Sequence, residues 1–279
     1  MNGGCQEAFL IASGPQPILG LCFSLSAARI MSHTPLSPPL TAPEQLNQEL
    51  RQNGFAVLGA DSVRELAGVS ACALEKISQD WDHLAQDHYL KDGGRYRLRR
   101  HASFVAQGDE VTAVPHRAHW QSLDYNALHG GMERWFEAIS AETVARPEWS
   151  ALLRWLAHTA SELRGEQPWF MEAHQFRIDT TDGIGRPTPE GAHRDGVDLV
   201  AVFLLSREGI KGGETRVFEL DGPHGKRFTL SEPWSLLLLD DRRVIHESTP
   251  IQPSVEGGHG HRDTLVITLR ARGFLDPET

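Results

Sequence analysis

The sequence predicts an α+β fold with a mainly β core, a helical first half standing in front of a strand-rich second half. Three observations carry this. Up to about residue 167 the apolar residues recur at helical spacing in several segments. After Pro168 short runs of β-formers alternate with Gly, Pro and Asp turns. The gaps between those runs are too short for crossover helices, which suits a sandwich or barrel better than parallel βαβ units.

Thr41 followed by Glu44 reads as a capping box opening a helix that carries Leu46 and Leu50 and stops at Gly54. Residues 55–58 are a short strand. Asp61 is expected to cap a further helical region to about Leu90, with Val63, Leu66, Val69 and Leu74 on its apolar side. Residues 95–105 look extended, 132–139 helical, and 147–163 a helix closed by Gly165. Strands are then expected at 172–179, 198–205, 214–219, 226–230, 234–239, 243–248 and 263–270. Leu66, Leu74, Leu152, Trp155 and Leu156 supply the apolar face with which helices cover one side of the sheet. The expected division is a disordered extension over residues 1–40 and one domain over 41–279, with a helical cover carrying a few strands at 41–167 and the β core at 168–272.

The 279 residues, 40% hydrophobic and 23% charged, describe an ordinary globular chain. A net charge of −10 argues against a phosphate-backbone partner, so a small molecule is expected rather than nucleic acid. Cys5, Cys22 and Cys72 have no CxxC spacing, which points to a reducing, cytoplasmic setting. The uncharged stretch 8–28 lacks a preceding Lys or Arg and is broken by Pro15 and Pro17, so neither a secretory leader nor a membrane span is expected. Met31 precedes a Pro/Ser/Thr-rich linker and is the expected translation start.

Among 14 histidines, His193 stands at i, i+2 from Asp195, a spacing that turns both side chains to one face of an extended segment. His246, beyond the apolar strand 234–239, is the expected third ligand. Two imidazoles and a carboxylate on one face of an octahedral ion leave three positions open, the arrangement of non-haem Fe(II) oxygenases. Arg262, followed by Thr264 at the entrance to an apolar strand, can clamp a carboxylate through a guanidinium fork and a hydroxyl.

The runs 189–196, Gly212-Gly213-Glu214-Thr215, 240–246 and 261–268 resemble, in order, the bacterial 2-oxoglutarate/Fe(II) dioxygenases that include free amino acid hydroxylases such as isoleucine dioxygenases. The resemblance also takes in 53–58, 121–126 with Gly130-Gly131, and 174–178, and covers about residues 45–272. It implies a double-stranded β-helix of the jelly-roll or cupin-like kind. It also implies iron held by His193, Asp195 and His246, and 2-oxoglutarate held by Arg262. The reaction it implies consumes O2 and 2-oxoglutarate, releases succinate and CO2, and hydroxylates a small substrate, in the first instance a free aliphatic L-amino acid. Thr264 and Thr215 are the further expected contacts to the cosubstrate.

Arg95, Arg97, Arg99 and Arg100 form a basic cluster with alternation that puts the first three on one face. Arg97 and Arg99 are candidate partners of a substrate carboxylate; the competing reading is a solvated strand face paired with nearby acids. His116 with His119, and His259 with His261, are competing metal pairs that lack a third ligand and a carboxylate in a supporting context. Two rival functions stand beside the hydroxylase: the same centre oxidising a protein side chain or a thioether, and a metal-binding barrel without catalysis.

Overall fold

The computed structural model describes residues 36–126 and 128–277. The expectations for the first 35 residues, including the start at Met31, lie outside the described residues. The elements in order are α1 (Leu46–Asn53), β1 (Phe55–Leu58), α2 (Ala60–Ala67), α3 (Ala71–Ser78), β2 (Arg97–Gln107), β3 (Glu110–Ala113), β4 (Glu137–Ala138), α4 (Ala141–Val144) and α5 (Pro147–Arg164). Then follow β5 (Trp169–Asp179), β6 (Leu199–Glu208), β7 (Ile210–Gly212), β8 (Thr215–Glu219), β9 (Gly225–Phe228), β10 (Leu236–Asp240), β11 (Val244–Ser248), β12 (Ile251–Pro253) and β13 (His261–Arg270). The chain is thus mixed α+β and mainly sheet, and all seven expected strands of the second half are present.

Local chemistry explains where the helices depart from expectation. Thr41 is not a cap: the chain enters α1 through a 3-10 turn at Pro43–Gln45, and the Thr41 amide donates instead to the Val57 carbonyl at 2.7 Å. Gly54 ends α1 as expected, at φ +74°, where a Cβ would meet Val244 at 2.7 Å. The single helix expected from Asp61 is two helices, because Gly68 turns left-handed at the end of α2 and the Ser70 hydroxyl caps α3 by accepting from the Ala73 amide. Residues 132–139 are not helical. The Arg134 backbone exchanges two hydrogen bonds with His119, and β4 runs parallel to β2, so pairing with neighbours outcompetes the local turn. Only α5 matches in full, with Pro147 in its first turn and Gly165 at its end.

The large sheet has eight strands in the order β1-β10-β6-β13-β5-β2-β3, every pair on that path antiparallel, with β4 attached to β2. Smaller sheets are β11-β8-β9 and β12-β7. Side chains alternate across each strand of the large sheet, and the two faces enter different surroundings. One face, with Leu58, Leu236, Leu238, Phe203, Leu265, Ile267, Met171 and Phe104, forms one core with Leu74, Leu152 and Leu156 of the helices, with Leu66 and Trp155 packed against it. The helical cover is therefore as expected.

On the opposite face the character changes across the sheet. At β1, β10 and β6 it is apolar, with Val57, Leu237, Leu239, Val200 and Leu204 packed on Val217, Phe228 and Val244 from the small sheet. At β13, β5 and β2 it becomes polar: Thr264 and Thr268, then Glu172 and His174, then Arg97, Arg99, His101 and Ser103, all buried. Buried charge needs a partner, so this half of the sheet is where a ligand site belongs.

Phe203 lies wholly buried on the helix side of the central strand β6. Phe203→Ala is expected to cost about 3–5 kcal/mol of unfolding free energy, read from denaturant midpoints. Among the described residues no helix is long and apolar enough to cross a membrane.

Candidate metal centre and its cavity

His193 and His246 face each other across an isolated antiparallel bridge in which each amide donates to the other's carbonyl at 3.0 Å. This backbone pair sets their rings 4.7 Å apart. Asp195, two residues along from His193, completes a group whose donor atoms all lie within 4.8 Å of one another. The His193 and His246 Nε2 atoms stand 3.9 and 3.8 Å from the Asp195 carboxylate. The His193 Nδ1–H donates to the Gly191 carbonyl at 2.9 Å, which turns its Nε2 toward the centre, where the Glu190 carboxylate also lies at 3.4 Å. Burial, reinforced by the neighbouring His193, pulls His246 down to about 4, so it stays neutral, the form that ligates.

Two supports hold Asp195. Its own amide and those of Gly196 and Val197 donate to the buried Asp241 carboxylate at 3.0, 2.8 and 3.0 Å. Burial and the adjacent Asp195 charge push Asp241 up to about 7. Gln121 donates to the Asp195 side chain at 3.2 Å and is itself fixed by N–H groups of Arg134 and Asn126. The loop carrying Gln121 and Asn126 closes on Gly130, where a Cβ would lie 2.4 Å from the Ser122 carbonyl. Asp241 and Arg134 went unrecognised as supports in the sequence, since each acts through a backbone or side chain distant along the chain.

The group opens into a cavity of about 130 Å³. Arg262, Thr264, Arg97 and Arg99 line it; Thr215, expected beside the cosubstrate, is buried but not on the lining, and stands opposite Ser248, which is. The Arg262 guanidinium makes no hydrogen bond to a described residue, and burial, followed by the nearby Arg207 charge, pulls it down to about 10. The reading of the arginine run as a solvated face holds for Arg95, which is exposed and paired with Asp182, but not for its neighbours. Arg97 is buried against Asp87 at 2.7 Å, and Arg99 lies between the rings of Phe136 and Phe176. Each keeps one buried N–H without a partner among the described residues, as does Arg134.

The competing pair His116 and His119 is divided. His116 bonds the Phe136 carbonyl, whereas His119 joins His101, Glu172 and His174 in a second buried group. Burial is the largest cause holding His119 at about 4 and His101 and His174 below the ordinary imidazole value. Below about pH 6.5 the unfolded chain takes up protons at these rings that the folded chain refuses, so stability falls as pH drops toward about 4. The melting temperature of metal-free protein is expected to decline from pH 7 to pH 5, and less steeply in His119→Gln. A pH-independent melting temperature would contradict this account of the group.

A family model described as 2OG-Fe dioxygenase matches residues 78–268. The chain belongs to the 2OG-Fe dioxygenase family. This dioxygenase is 51% identical to a BsmA homologue from Methylobium petroleophilum PM1 whose crystal structure covers 87% of this chain and 98% of its own, with a TM-score of 0.82. It shares its fold with IDO from Bacillus thuringiensis (18% identity, 83% and 100% covered, TM-score 0.68). The fold is likewise that of the Fe(II)/α-ketoglutarate-dependent dioxygenase TqaL (18% identity, 82% and 86% covered, TM-score 0.64). No curated protein matches it. Dioxygenases of this family are oxidoreductases that use Fe(II), 2-oxoglutarate and O2, and the donor set here, two imidazoles and one carboxylate, is of the type that binds such an ion.

Proposed function

We propose that this dioxygenase hydroxylates a small, carboxylate-bearing substrate, in the first instance a free aliphatic L-amino acid, on an iron held by His193, Asp195 and His246 within a double-stranded β-helix. The observation that carries the substrate class is the cavity wall: Arg97, Arg99 and Arg134 are buried beside the His-Asp-His group, each with a nitrogen that has no partner among the described residues. Buried guanidinium groups of this kind favour an anion that completes their hydrogen bonds. Arg262, on a separate strand, is assigned to the distal carboxylate of 2-oxoglutarate, with Thr264 beside it on the inner face. Bound iron with 2-oxoglutarate and O2 supplies the oxidising power; succinate and CO2 leave, and one oxygen atom enters the substrate.

The protein's own contribution is placement. Gln121 and the Asp241 carboxylate fix Asp195 from two sides, and the His193 backbone bridge fixes both imidazoles. A cavity of about 130 Å³ suits a small molecule better than a polypeptide segment. The test is incubation of the protein with Fe(II), 2-oxoglutarate and a mixture of L-amino acids, followed by mass spectrometry. Gain of one oxygen by an aliphatic amino acid, matched by succinate, is expected; succinate without any oxidised amino acid would overturn the substrate class and leave the cofactor chemistry intact.

A further inference from the structure

The second buried group has the composition of a metal site but the hydrogen bonding of something else. Glu172 accepts from His101 Nε2 and His119 Nδ1, one to each oxygen, both at 3.1 Å. His174 Nδ1 lies 2.9 Å from Arg99 Nη2. Both carboxylate oxygens are therefore engaged, and the Arg99 and Arg134 charges act on these same histidines. A divalent ion placed here would have to displace those bonds and face two guanidinium groups.

The same contacts decide where the protons sit. Arginine only donates, so His174 Nδ1 is the acceptor and its proton is on Nε2. An ionised Glu172 only accepts, so His119 carries its proton on Nδ1. That leaves His119 Nε2 with a lone pair and no partner among the described residues, in a ring that lines the cavity. A buried carboxylate behind an imidazole strengthens that lone pair as an acceptor, and it is the arrangement by which proteins orient imidazoles toward cations. With His119 at about 4, the ring remains neutral opposite a positive charge. The wall thus offers an acceptor at His119 and donors at Arg97, whose Nη2 has no partner among the described residues.

We propose that His119, oriented by Glu172, accepts a hydrogen bond from the substrate's ammonium group while Arg97 takes its carboxylate, so that the pair selects α-amino acids over carboxylic acids lacking the amine. This rests on the amino acid reading above and adds to it the residues that read the nitrogen. His119 and Glu172 are specificity-determining residues on this account. Their effect appears in discrimination between substrates rather than in the metal centre.

The experiment compares L-leucine with 4-methylpentanoate, its analogue without the amine, by kcat/KM for substrate oxidation in the iron-loaded enzyme. The wild type is expected to prefer L-leucine. His119→Phe is expected to cut that preference at least about tenfold, chiefly through KM for L-leucine, and His119→Gln, whose amide oxygen still accepts, to restore part of it. Glu172→Gln, which removes the charge behind the ring, provides a second variant should His119→Phe fail to fold, with the same direction expected. Equal losses on both compounds would overturn the proposal and leave the amino acid reading standing. Oxidation of neither L-leucine nor any other amino acid by the wild type would overturn both. A second equivalent of Zn(II), bound in Asp195→Ala and lost on adding His119→Phe, would assign the group to metal and also overturn the proposal.

Discussion

His193→Ala and Asp195→Ala are each expected to abolish stoichiometric iron binding and lower succinate formation by at least about a thousandfold, since the ion supplies several kcal/mol of the rate enhancement. Iron content after anaerobic loading and succinate release are the two measurements. The fold should survive, because the bridge between His193 and His246 is made by backbone atoms and the 195–197 amides remain on Asp241. Retention of a full equivalent of iron in Asp195→Ala would remove that residue from the ligand set.

Substitution of Arg262 separates binding from stability. Arg262 is buried without a hydrogen-bond partner among the described residues, and burial depresses its pKa, so without an anion the side chain is a cost to the protein. Arg262→Gln is expected to raise KM for 2-oxoglutarate by about 10² to several 10³-fold, the loss of a buried charge pair worth about 3–5 kcal/mol. The melting temperature of the metal-free protein should hold or rise. Arg262→Lys keeps the charge but not the fork and should fall between wild type and Arg262→Gln. Unchanged KM in Arg262→Gln would reassign the cosubstrate anchor.

The parts of this molecule that sequence revealed are those governed by short-range rules. The His193–Asp195 spacing, the strand that presents Arg262 and the Pro147-to-Gly165 helix each depend on a few consecutive residues. The segment 132–139 misled because its helical pattern was outweighed by pairing with His119 and β2, contacts invisible along the chain. The group formed by His101, His119, Glu172 and His174 stayed hidden for the same reason, since it is assembled from β2, β5 and a loop. A signal was present in part. Arg97, Arg99, His101 and Ser103 share one parity, as do Glu172 and His174, and two strands with polar residues on alternate positions of a buried sheet announce a ligand face.

The alternation of the large sheet has an evolutionary consequence. On β2 and β5 cavity residues alternate with residues that pack on the helices, as Arg97 and Arg99 do about Leu98, and Glu172 and His174 about Ala173. One inserted or deleted residue in either strand would exchange the two sets, driving arginine and glutamate into the helical core and emptying the cavity wall of its chemistry. Drift toward new substrates is therefore channelled into point replacement at every second position of these strands, while length variation is confined to the loops. His193, Asp195 and His246 lie on other segments, so that exploration can proceed with that group held constant.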